Sequence, residues 1–272
     1  MASALDGLLR PGAMSVLFQP IFELRGSRRQ LHSIEALSRG PVGTHMERAN
    51  VLFEYARRKG AEVQVDRACL VAIFAALGGV SGAPVISVNV HASTLGRDPE
   101  FPSFLADLAA AHDVDLSRLT VEVVEHALPW DMRGFECVLQ GLRDIGIRIA
   151  LDDIGLGQSN FRMILEVRPD YFKVDRYVVA GCSRDDHRRM VLQTVVDLAR
   201  GFGGRVVAEG IEDTADLEAI ASLGIDLVQG FLLARPLAAG DVPAPGWTNL
   251  DLIRRHGNDS AANGPAATNT ER

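Results

Sequence analysis

Eight short apolar runs divide this chain, and between most of them apolar residues recur at helical spacing. The runs fall at Ser15–Leu24, Leu31–Leu37, Val85–Val90, Leu119–Val124, Arg148–Leu151, Tyr171–Val174, Arg205–Ala208 and Leu227–Gln229. Such runs read as strands buried on both faces, the state of parallel strands covered by helices. Met132, Phe135, Val138, Leu139, Leu142 and Ile145 step by three and four before Gly146, and Val191, Leu192, Val195, Val196, Leu198 and Ala199 do so before Gly201. Phe101, Phe104, Leu105 and Leu108 mark another helix, with Pro102 tolerated in its first turn. Eight strands with helices between them predict an α/β fold, a closed (β/α)8 TIM-like barrel rather than an open sheet. The turn at Gly26 looks like a hairpin, which makes one strand near the N-terminus antiparallel to the rest.

The polar residues that end these runs carry the chemistry. Arg148-Ile149-Ala150-Leu151 stops on Asp152-Asp153, and two adjacent carboxylates repel each other unless cations sit between them. For a lone Asp-Asp, a helix cap beside a solvated neighbour is the better reading. Here, however, Glu35, Asn89, Glu122, Lys173, Glu209 and Gln229 also stand in or at the ends of apolar runs. Glu35, Leu37 and Arg39 alternate along one segment and so share a face. In a barrel of this kind these groups gather at the C-terminal mouth. His91 and His126, just beyond strand ends, read as rim residues rather than ligands.

The chain has 272 residues, 47% hydrophobic and 6% aromatic, enough for one large domain with a substantial core. Its net charge of −7, without any basic run, argues against duplex nucleic acid or an anionic membrane surface as a partner. Cys69, Cys137 and Cys182 are scattered and odd in number, so they read as core thiols in a reducing, cytoplasmic setting. The seven histidines are dispersed, against a zinc site. No apolar stretch approaches the ~20 residues of a membrane span, and Met1 to Arg10 lacks the pattern of an export signal. We read residues 1–13 as an N-terminal lead, 14–256 as the barrel domain and 257–272 as a disordered tail, with Asn249–Arg255 a candidate last helix.

At the level of motifs, Glu35-Ala36-Leu37-Ser38-Arg39 resembles the signature of the EAL domains, bacterial phosphodiesterases of cyclic di-GMP. The resemblance runs in order from Leu17 to Pro236. It takes in Phe18-Gln19-Pro20-Ile21, Val88-Asn89-Val90, Glu122-Val123-Val124-Glu125, Asp152-Asp153, Lys173-Val174-Asp175, Ala208-Glu209-Gly210-Ile211-Glu212, Gln229-Gly230-Phe231 and Arg235-Pro236. It implies a metal-dependent phosphodiesterase that opens cyclic di-GMP to linear pGpG. By that likeness Glu35, Asn89, Glu122 and Asp152 hold one divalent cation, and Asp152, Asp153 and Glu209 a second. An all-oxygen donor set suits Mg²⁺ or Mn²⁺. Lys173 and Glu209 are the implied catalytic residues. Gln19, Leu37, Arg39 and Gln229 face substrate, Leu37 by packing alone, with Glu125, Asp175 and Glu212 as supports behind the ligands. The alternative is a catalytically weak or silent cyclic di-GMP receptor or protein-interaction module on the same barrel.

Three departures from the family pattern stand out: the loop Ile154-Gly155-Leu156-Gly157-Gln158-Ser159-Asn160, Val124 in place of Thr, and His91 in place of Ser. None removes an implied ligand. In the family this loop couples dimer contacts to the metals, so a homodimer through the barrel and weak occupancy of the second cation site are expected. The barrel leaves no room for a sensory or diguanylate cyclase domain in this sequence, so a regulatory partner is the expected input.

Overall fold

The eight strands close into a barrel in chain order, β1 (Ser15–Arg25), β2 (Arg28–Arg39), β3 (Val85–His91), β4 (Leu119–Val124), β5 (Arg148–Ile154), β6 (Tyr171–Val174), β7 (Arg205–Ala208) and β8 (Leu227–Val228). The computed structural model describes residues 4–25, 28–80, 82, 84–124, 131–155 and 161–242. The expected barrel and its antiparallel strand are both present: β1 runs antiparallel to β2 and to β8, and every other neighbouring pair is parallel. The hairpin turn at Gly26, Glu125 and His126, the loop from Leu156 to Asn160, the candidate helix Asn249–Arg255 and the tail lie outside the described residues.

Helices α1 (Ala4–Leu8), α2 (Ala49–Lys59), α3 (Glu62–Leu77), α4 (Ala92–Arg97), α5 (Phe101–Ala111), α6 (Met132–Asp144), α7 (Phe161–Val167), α8 (Arg176–Val179), α9 (Asp186–Phe202) and α10 (Thr214–Ser222) fill the connections. Their ends are set locally. Asp131, Asp175, Asp185 and Asp213 cap α6, α8, α9 and α10 by accepting backbone N–H bonds from the first turn. The stripe Phe135, Val138, Leu139 and Leu142 buries α6 against the barrel. One main core of buried apolar side chains from strands and helices surrounds the barrel. The lead segment also packs: Leu8 and Met14 join Leu52, Ala56, Val65 and Cys69 in a second cluster.

Two expectations need correction. Helix α9 runs through Gly201 and stops at Gly203, whose φ of 74° lets its N–H bond Ala199 O and Arg200 O. The two added residues place Phe202 edge-on against Phe172, with ring centroids 6.1 Å apart. Cys69 and Cys182 are buried, but Cys137 is exposed, because it lies off the buried stripe of α6. No helix among the described residues is long and apolar enough to cross a membrane.

Candidate metal centre

Strand register brings the polar strand ends together. Gln19 pairs with Glu35 across β1 and β2, and Asn89 with Glu122 across β3 and β4. The period of two then points Glu35, Asn89, Glu122, Lys173 and Glu209 to the inside of the barrel mouth. Adjacent Asp152 and Asp153 would normally face opposite sides of β5. A bulge prevents this, because Leu151 pairs with Phe172 and Ile154 with Val174, so that one extra residue stands on β5. Asp153 takes a left-handed φ of 56°, a region that Asp tolerates better than most residues. Side-chain oxygens of Asp152, Asp153 and Glu209 all come within 4.8 Å of one another.

Lys173 stands at the centre, 1% exposed. Its Nζ donates to Glu122 Oε2 at 2.5 Å and forms ion pairs with Glu209 Oε1 at 2.7 Å, Asp152 Oδ1 at 3.0 Å and Glu35 Oε2 at 3.4 Å. Burial works to neutralise this lysine, yet Asp152, Glu122, Glu209 and Glu35 hold its pKa well above the ordinary value. The carboxylates fare unequally. Burial works against ionising Glu35, but Lys173 and the amides of Asn89 and Gln229 outweigh it and lower its pKa. Asn89 Nδ2 donates to Glu35 Oε1 at 2.8 Å, and Gln229 Nε2 to Glu35 Oε2 at 2.9 Å. Burial, reinforced by Glu35 and Asp152 against the pull of Lys173, pushes Glu122 up to about 8. Burial likewise holds Glu209 well above the carboxylate range, with Asp152 and Glu35 adding to it.

These directions share one cause. Five carboxylates, Glu35, Glu122, Asp152, Asp153 and Glu209, face one ammonium, Lys173, which leaves four negative charges if all are ionised (five minus one). Without further cations the cluster retains protons instead. Its donors are carboxylate and amide oxygens, the ligands of hard divalent cations. The residues present therefore fit Mg²⁺ or Mn²⁺.

Two recesses open on either side of Glu35 and Asp152. One, of about 250 Å³, is lined by Gln19, Glu35, Asp152, Lys173, Glu209, Glu212 and Gln229, together with Arg176, Gly210, Gly230 and Phe231. The other, of about 190 Å³, is lined by Glu35, Leu37, Arg39, Asn89 and Asp152 with Phe53 and His91 among others. Arg39 donates Nη1 to Ser38 O at 2.9 Å and extends into a wider groove beside Thr44, His45 and Arg48. Gln19 spends Nε2 on Ala234 O at 3.1 Å. Asp175 is not drawn into the cluster, since its carboxylate accepts the Tyr177 N–H at 2.6 Å and caps α8.

Three features escaped the sequence reading. His91, expected at the rim, is buried: its backbone N–H and Nδ1 both bond Asp66, which also accepts from Thr94 Oγ1. Burial works to lower the His91 pKa, but Asp66 outweighs it and raises it. Asp66, an acid in the apolar stripe of α3 that includes Val65, Cys69 and Leu70, was the available signal. Arg176, directly after Lys173-Val174-Asp175, lies across Gly210 and pairs with Glu212 at 2.9 Å. A Cβ on Gly210 would meet the Arg176 side chain at 2.5 Å, and its φ of 66° also favours glycine. Phe231 carries Arg235 over its ring at 4.6 Å, beside the larger recess.

The EAL domain family model matches residues 2–236. A cyclic di-GMP phosphodiesterase of Pseudomonas aeruginosa is 35% identical over 152 residues, 56% of this chain and 26% of that protein. The structure of Klebsiella pneumoniae BlrP1 with calcium and cyclic di-GMP is similar with a TM-score of 0.75 at 27% identity, covering 91% of this chain and 61% of that one. Its manganese complex gives 0.72 at 27%, covering 85% and 58%. The chain spans only 29%, 26% and 21% of the length of the first three curated relatives it matches.

Proposed function

Because this chain belongs to the EAL domain family, we propose that it hydrolyses cyclic di-GMP to linear pGpG with divalent cations held at the barrel mouth. The observation that carries this reading is the Lys173 cluster, with four carboxylates around one buried ammonium and Asp153 brought in by the β5 bulge. Glu35, Asn89, Glu122 and Asp152 would hold one cation, and Asp152, Asp153 and Glu209 the other. Bound there, Mg²⁺ or Mn²⁺ would supply an activated water and charge for the leaving oxygen of an in-line displacement.

The chain's own residues do the rest. Lys173 orients the attacking water from the centre of the carboxylates and keeps its charge because they surround it. Glu209, once the cations hold it ionised, would take up the water's proton in so far as its carboxylate is not committed to the second cation. Arg39 presents a planar fork to a phosphate. The two recesses on either side of Glu35 and Asp152 match a ligand of two nucleotide halves.

The test is chromatography of cyclic di-GMP incubated with the purified chain and Mg²⁺ or Mn²⁺. Linear pGpG is expected, with activity abolished by chelator and restored by either cation, while Ca²⁺ supports binding but little turnover. Tight binding without product after long incubation would replace the enzyme with a receptor, and full activity in excess chelator would remove the cations from the account.

A further inference from the structure

Directly beneath the ligand cluster, the barrel interior is built unlike its usual filling of bulky branched side chains. Strands β2 to β7 each contribute there the residue two positions from a cluster residue: Ser33 below Glu35, Ser87 below Asn89, Thr120 below Glu122, Ala150 below Asp152, Tyr171 below Lys173 and Val207 below Glu209. Four of these six are small, and three of the four carry hydroxyls. They enclose a cavity of about 10 Å³, about the room one water molecule needs, with Glu122 and Lys173 also in its lining. Ile21, Val207 and Leu227 pack with the ring of Tyr171, whose hydroxyl is already paired with His32 Nε2 at 3.3 Å, so the polar groups of this layer not engaged in that pair lie on the Ser33, Ser87 and Thr120 side.

Thr120 supplies the second observation. The residue is 1% exposed, and its hydroxyl oxygen is buried with no hydrogen-bond partner in the protein. A buried hydroxyl without a partner bears the full cost of leaving water, so a native interior rarely leaves one without a ligand. Strand alternation points Thr120 and Glu122 the same way on β4, one above the other.

We propose that this layer is a binding site for one ordered water molecule, held by the Thr120 hydroxyl and the Glu122 carboxylate beneath the metal centre. The water accepts or donates at Thr120 and donates to Glu122, fixing the carboxylate that also accepts from Lys173 Nζ. It thereby acts as a positioning group for a cation ligand, a consequence that rests on the proposed cation chemistry; the water site itself does not. Small side chains two residues below the ligands are what make space for it.

The experiment is a high-resolution crystal structure of the full chain, its Thr120→Val variant and its Thr120→Ser variant, with Mn²⁺ binding measured on each. Wild type and Thr120→Ser are expected to show a water within hydrogen-bond reach of residue 120 and Glu122. Thr120→Val, of the same shape without the hydroxyl, should lack it and need about tenfold more Mn²⁺ for half-saturation, the usual cost of losing a support behind a metal ligand. A dry layer in the wild type, or the same water retained in Thr120→Val, would overturn the site. An unchanged Mn²⁺ midpoint in a Thr120→Val protein that has lost the water would overturn its positioning role.

Discussion

Replacing Lys173 by Met keeps the length of the side chain and removes the charge at the centre of the cluster. Nζ lies 2.5–3.4 Å from oxygens of four carboxylates, and lysine and Glu122 are each 1% exposed. Removing one partner of a buried ion pair costs about 3–5 kcal/mol, because the charge left behind is uncompensated. Protons already held by Glu122 and Glu209, whose pKa values stand high without cations, lessen the charge left behind and keep the loss inside that range. In chelator, urea unfolding followed by circular dichroism should therefore show Lys173→Met less stable than wild type by about 3–5 kcal/mol. Millimolar Mn²⁺ should narrow the gap by about 1 kcal/mol or more, since a site one charge more negative binds the cation more tightly and binding to the folded state stabilises it. Hydrolysis should be lost in either condition. A deficit below about 1 kcal/mol in chelator, or a gap that Mn²⁺ leaves unchanged, would refute the view of Lys173 as the internal counter-charge of a cation site.

The raised pKa of Glu122 fixes a pH trend. Its carboxyl holds a proton in the cation-free folded state up to about 8 but releases it near 4.5 when unfolded, so its stabilising contribution is full below 4.5 and is lost as pH rises through about 8. Cation affinity should run the other way, because the ligand must be deprotonated: Mn²⁺ midpoints measured by calorimetry should tighten from mildly acidic pH up to about 8 and then level. Midpoints that weaken with rising pH would exclude Glu122 from the ligand set. Asp153→Asn preserves a residue type that tolerates the left-handed φ of 56° while removing one charge from the Asp152, Asp153 and Glu209 group. It should raise the Mn²⁺ concentration for half-maximal rate by about tenfold or more with unfolding unchanged in chelator.

The barrel was legible because its strands are apolar runs, and runs of that kind identify themselves without knowledge of their neighbours. The gathering of Glu35, Asn89, Glu122, Asp152, Lys173 and Glu209 was legible for a related reason, since a barrel aligns the ends of its strands. What was not legible depends on partners far away in sequence. The reach of α9 past Gly201 follows from Phe202 finding Phe172. The burial of His91 follows from Asp66, 25 residues earlier on another element. Period-two reasoning sends Asp152 and Asp153 to opposite faces, and only the register of β5 against β6 reveals the bulge that reunites them. Arg176 stood beside a recognised motif, but its place across Gly210 is set by β7 and the turn that follows it.

The most direct measurement is anomalous diffraction at the manganese edge from crystals of the chain grown with Mn²⁺ and cyclic di-GMP. The account predicts two peaks at the barrel mouth, one among Glu35, Asn89, Glu122 and Asp152 and one among Asp152, Asp153 and Glu209. A bound dinucleotide with no manganese at either position, or manganese only on residues outside the Lys173 cluster, would contradict it.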